Sequence, residues 1–198
     1  MYVEPKQPRA IASEAKFLAA LSELLLETSY HNVTVADIAE RAALSSGAFV
    51  TRFGTKRAAL DRLFQEFCTD VYDALDAIAA SLPAGDEATE STLLLLSETY
   101  ESLVMKHWGV NRAMHEVFLV EEQIDLQTRG IFKATIDLFV LLFASPTDNP
   151  TSGQMFAAVQ LLVTLNYNFC LGAMPGLPSI SADRHRIISR AIHCAMRS

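Results

Sequence analysis

Residues 34–53 read TVADIAERAALSSGAFVTRF, and side chains suited to touching a polyanion crowd into the second half of that run. Ser45, Ser46, Gly47 and Thr51 are small and polar enough to enter a major groove. Arg52 adds the one strong donor, able to meet guanine with two hydrogen bonds. A helix beginning near Ser45 would also turn its first amides and positive dipole end toward phosphate. The same residues fit a plainer reading, because short helix pairs of this pattern occur in proteins that bind no DNA. Arg52 can equally be a solvated charge, and Lys56 either pairs with a phosphate or screens Asp61 and Glu66.

Other chemistry is thinner. Cys68, Cys170 and Cys194 are odd in number and widely spaced, so a disulfide framework or zinc site is not expected, and a reducing cytoplasm is the simplest setting. Each lies in an apolar helical stretch and reads as a small buried residue. His107 and His115 are not helical neighbours, and no Glu-x-x-His pair occurs, so neither a metal nor another cofactor is expected. A helical-bundle enzyme would need a nucleophile with a base beside it. The one His adjacent to a cysteine is His193, before Cys194, and adjacent helix positions do not face each other. Tyr100, Trp108, Met114, His115, Phe118 and Phe139 could line an apolar pocket for a small ligand between helices, or could be ordinary core.

The elements that must carry these residues are all helical. Of the 198 residues 51% are hydrophobic, with only 8 Gly and 7 Pro, and no alternating strand pattern appears. Phe17, Leu21, Leu24 and Leu25 predict a first helix over 12–28. Thr34, three residues before Asp37, predicts an N-cap, and Val35, Ile38, Ala39 and Ala42 form the stripe of a short helix. Ala43 and Leu44 break it. Ser45 caps a third helix that ends at Gly54, with Phe49 and Phe53 on one face. Thr55 caps a long fourth helix whose stripe runs Leu60, Leu63, Phe64, Phe67, Val71, Leu75, Ile78. Five more are predicted over 89–107, 110–122, 125–144, 153–171 and 182–196, with Gly109 as a break between the fifth and sixth.

Net charge is -7, yet residues 1–57 hold seven basic against six acidic side chains, and the rest hold nine against seventeen. The acidity therefore belongs to the C-terminal part, and a local cationic face near the N-terminus remains open. Residues 149–182 carry no charge, but Gln154, Gln160, Thr164, Asn166 and Asn168 interrupt them, and no membrane span is expected. A helix apolar nearly all round is instead buried on two sides, one against its own subunit and one against a partner.

The run Tyr30, Thr34-Val35, Asp37-Ile38-Ala39, Ala42, Ser45, Gly47, Phe49, Phe53, Lys56, Leu60 resembles the TetR family of bacterial transcriptional regulators over roughly the first third of the chain. The resemblance implies an N-terminal helix-turn-helix domain at 1–55 and a ligand-binding and dimerisation domain at 56–198. It implies a repressor without enzymatic activity, a homodimer through the last two helices (about 153–171 and 182–196), and a palindromic double-stranded operator. Thr34, Ser45, Ser46, Gly47, Thr51 and Lys56 fall on its DNA-binding positions. A regulator without any small-molecule inducer is the variant of this expectation. Four residues depart from the pattern. Ser29 and Ala43 replace glycines, Val33 replaces a threonine, and Val50 replaces an aromatic that often meets phosphate. If position 43 needs a positive φ, alanine costs about 1 kcal/mol there.

Overall fold

The computed structural model describes residues 7–81, 86–121, 126–143, 151–170 and 181–197. All regular structure among them is helical. Helix α1 spans Pro8–Glu27, and a 3-10 turn follows at Tyr30–Asn32. Then come α2 (Val35–Arg41), α3 (Ser46–Phe53), α4 (Lys56–Ala80), α5 (Asp86–Lys106), α6 (Trp108–Glu121), α7 (Leu126–Phe143), α8 (Ser152–Cys170) and α9 (Ser181–Arg197).

Of the boundaries that differ from the periodicity, two have a clear local cause. Helix α1 begins four residues earlier than its apolar stripe, because Pro8 occupies the first turn, where a missing N–H costs nothing and φ is already helical. Gly109 is no break: it lies inside the first turn of α6. Its smallness serves contact, since a Cβ there would come within 3.0 Å of the Leu25 backbone carbon. The break falls at His107 instead.

Packing divides the chain into two compact units that are discontinuous in sequence. One comprises residues 1–67 and 107–124, the other 68–106 and 125–198. In the first, α1 packs on α2 and α6, and α2 on α3. Its centre is Phe17, Leu21, Leu25, Ile38, Phe49 and Leu60, each under 2% exposed. In the second, α5, α8 and α9 pack on one another and α7 on α8, around Leu93, Phe139, Leu162, Ile188 and Ile192. All seven residues of the expected α4 stripe are buried. The cysteines diverge: Cys68 is buried, Cys170 half-buried and Cys194 exposed, so the last is not the core residue its apolar surroundings suggest.

A polar network lies inside the second unit. Ser97 Oγ is 2.8 Å from His185 Nδ1, and His185 Nε2 is 2.9 Å from Glu101, which also accepts from Arg184 at 2.7 Å. The Asn166 amide donates to the Leu162 carbonyl and to Ser97 Oγ. The order serine–histidine–carboxylate is that of an acyl-transfer site, but Ser97 is 0% exposed and His185 3%, so no substrate carbonyl reaches the hydroxyl. Satisfied hydrogen bonds of this kind tie α5 to α8 and α9 in one arrangement.

Among the described residues no helix is long and apolar enough to cross a membrane. No three His, Cys, Asp or Glu among them are grouped to hold a metal.

Candidate nucleic-acid interface

Local chemistry builds the α2–turn–α3 hairpin. Thr34 caps α2 reciprocally: its hydroxyl accepts from the Asp37 amide at 3.2 Å, and the Asp37 carboxylate accepts from the Thr34 amide at 2.8 Å. The Thr34 hydroxyl also donates to that carboxylate at 2.7 Å. These bonds hold the Asp37 carboxyl below its ordinary range. The chain then reverses through Ala43 at φ 53°, the left-handed conformation foreseen as a cost of alanine at this position. The Leu44 amide closes the turn on the Ala39 carbonyl at 2.9 Å. Ser45 caps α3 by accepting from the Ala48 amide at 3.2 Å, and Gly54 at φ 74° ends it.

Side chains beneath hold α3 in place. Ile38 and Ala39 are buried at the crossing. Phe49 and Phe53, 5.0 Å apart between ring centroids, meet the Phe17 ring of α1 at 5.3 and 6.2 Å in edge-on geometry. Aromatic pairs of this kind add about 1 kcal/mol each beyond burial. With the two phenylalanines turned down, Ser46, Gly47, Val50 and Thr51 face outward, and all four are exposed. The Thr51 hydroxyl donates to the Gly47 carbonyl at 2.8 Å, so its proton is engaged within the helix.

The cations are arranged differently from the expectation. Arg52 turns back toward α1, where its Nε lies 3.8 Å from Glu14, and its side chain is only 20% exposed. Glu14 also lies 3.8 Å from Arg62 of α4, so one buried carboxylate faces two guanidiniums. Lys56 folds onto its own domain: its ammonium donates to the Tyr30 and Val33 carbonyls, both at 2.6 Å, and lies 4.0 Å from the Tyr30 ring centroid. Partial burial pushes that ammonium below the usual lysine range, with Asp37 and Glu116 opposing. Neither Asp61 nor Glu66 is its partner. Asp61 is held by Arg57 at 2.6 Å and Glu66 by Arg62 at 3.4 Å.

Sequence reading also missed how α6 braces this domain. Arg112 donates to the Leu25 and Thr28 carbonyls at the end of α1. Glu116 accepts from the Ser29 hydroxyl at 2.7 Å and the Tyr30 amide at 2.9 Å. Ser29, where a glycine was expected, thus has a role of its own. An i,i+4 Arg–Glu pair in an amphipathic helix carries no local mark of such use.

The six residues expected to line a ligand pocket are divided between the two packing units. Tyr100 lines a small cleft between α4 and α5 with Val71, Leu75, Ile78, Leu96 and Leu103. Burial pushes its phenol well above the usual tyrosine range. Phe139 is fully buried beside Phe143. Trp108, Met114 and His115 belong to α6, in the other packing unit: Met114 is buried, Trp108 half-buried, His115 exposed. The Phe118 side chain lies outside the described residues. Burial also pushes the Cys170 thiol up to about 11, which keeps it protonated near neutrality.

Residues 17–63 match the family described as bacterial regulatory proteins, tetR family. No curated protein matches the chain. Solved structures share its fold over nearly the whole length. A candidate transcriptional regulator of Streptomyces coelicolor superposes with a TM-score of 0.70 at 15% identity, covering 94% of this chain and 99% of that one. The TetR family transcriptional regulator PfmR of Thermus thermophilus gives 0.64 at 13%, covering 92% and 97%. A candidate TetR-family regulator of Mesorhizobium loti gives 0.68 at 13%, covering 96% and 98%.

Proposed function

We propose that this chain, whose N-terminal domain is of the tetR family of bacterial regulatory proteins and whose helices take those regulators' fold, is a ligand-responsive repressor that binds a palindromic operator as a dimer. The observation that carries the reading is the short, outward-facing α3, braced by Phe49 and Phe53 inside the segment that matches the family. Such a helix is a major-groove reader. Thr34, Ser45, Ser46, Gly47 and Thr51 are the positions offered to the duplex. Lys56, half-buried, stabilises the turn before α2 and keeps positive charge near the backbone path. Arg52 contributes at most after leaving Glu14. The DNA-binding domain is residues 1–55, supported by α6 from later in the chain, and the remainder of 56–198 serves sensing and pairing.

Dimerisation is assigned to α8 and α9. Phe156 of α8 (55% exposed) and Ile187 of α9 (41%) are open, as are Ala157, Thr164 and Arg190 of the same two helices. A dimer reading a palindrome addresses successive major grooves, about 34–36 Å apart, with its two α3 helices. A small apolar ligand at the Tyr100 cleft acts by binding one spacing of the dimer better than the other. Helix α4 is the natural carrier, since it starts at Lys56 and continues past the cleft residues Val71 and Leu75. The protein works in the cytoplasm and catalyses nothing.

The test is selection of binding sites from random duplex, followed by mobility shift. Enrichment of an inverted repeat whose half-site centres are one helical turn apart is the expected result. Failure to enrich any duplex overturns the reading.

A further inference from the structure

The outward face of α3 holds Ser46, Gly47, Val50 and Thr51 and no charged side chain, because Arg52 is turned onto the buried Glu14. Resting on the DNA-binding reading above, we infer that Val50 is a specificity-determining residue that reads the C5 methyl group of a thymine in each half-site, and that α3 makes no bidentate arginine contact to guanine.

The argument is one of chemistry available on the face. Guanine is read from the major groove by an arginine or lysine fork on its O6 and N7, and α3 holds no such fork outward. Thymine is the base that offers an apolar group there, and an aliphatic side chain is its complement. Val50 is 53% exposed at the centre of the outward face, flanked by Gly47 one turn earlier, which leaves room for a base edge to approach. Val50 is free to meet a base because its neighbours Phe49 and Phe53 carry the packing beneath α3. The adjacent, exposed Thr51 has its hydroxyl proton engaged by the Gly47 carbonyl, which leaves it without a free donor for a base. β-Branching also restricts Val50 to few rotamers in a helix, so little side-chain freedom is lost on contact.

The experiment uses the full-length protein and its selected operator, replacing each thymidine in turn by deoxyuridine, which pairs identically but lacks the methyl. One thymine per half-site should show a loss of about fourfold, the effect expected for one buried methyl group. Replacing its symmetry mate as well should give roughly fifteenfold. Val50→Ala, at an exposed position, should keep wild-type helicity and melting and lose this sensitivity to uracil. Specific binding indifferent to uracil at every thymine overturns the inference, as does sensitivity that persists unchanged in Val50→Ala. A loss on 7-deazaguanine substitution that vanishes in Arg52→Ala would show Arg52 reading guanine N7, and overturns it too. Specific binding survives in these three outcomes, so they leave the regulator reading standing. Binding to no duplex overturns both.

Discussion

The Lys56 ammonium lies 2.6 Å from two carbonyl oxygens whose residues precede it by 26 and 23 positions. Its lowered proton affinity follows from partial burial outweighing the attraction of Asp37 and Glu116. Three predictions belong to this scale. Ala43→Gly removes the side-chain clash at φ 53° but adds chain entropy to the unfolded state, so a net gain of about 0.5–1 kcal/mol is expected in denaturant unfolding. Thr34→Ala should cost about 1 kcal/mol through the lost cap. The Asp37 half of that cap has a definite pH sign. Its carboxyl is depressed in the folded state, so its contribution is present above the ordinary value of 3.8 and disappears as pH falls through the lower folded value. The stability difference between wild type and Asp37→Asn should therefore shrink to nothing in acid, read by denaturant melts across pH.

At the scale of elements, α3 and α6 are each positioned by contacts far along the chain. Helix α6 approaches α1 closely enough that Gly109 admits no methyl without moving Leu25 backbone. Gly109→Ala should destabilise the protein by about 1–3 kcal/mol in thermal or denaturant unfolding, because backbone rather than a flexible side chain must yield. Glu116→Gln weakens two charge-assisted bonds to the Ser29–Tyr30 turn and should cost about 1–2 kcal/mol. If α6 were only an amphipathic cover, both substitutions would behave as ordinary surface changes. Element existence was legible: caps at Thr34, Ser45 and Thr55, and the α4 stripe, stand where the periodicity predicts them. The position of α6 was not, since its stripe says which face is buried and nothing about which helix buries it.

At the scale of the whole molecule, the proposal is a dimer whose pairing face is uncharged on α8 and rimmed by arginines on α9. Phe156→Arg places a charge on that face at a position already 55% exposed, so the monomer should fold normally. Sedimentation should show its dimer dissociating at concentrations where wild type remains paired, with operator affinity falling in parallel. A variant that sediments unchanged and binds unchanged would move the pairing face elsewhere.

The helical class, the caps, the buried faces and the segment akin to tetR-family regulators all follow from residues a few positions apart. Hydrogen bonds from a side chain to the amide three residues on, and apolar groups recurring each turn, act within one element and leave their spacing in the sequence. The partners of the charges do not. Arg52 reads as a base donor and is held by Glu14 on α1. Lys56 reads as a phosphate partner and bonds to carbonyls at the 3-10 turn, and the residues grouped as a pocket fall in two packing units. Long cationic side chains reach whatever acceptor the packed helices bring near, and only the tertiary arrangement decides which acceptor that is.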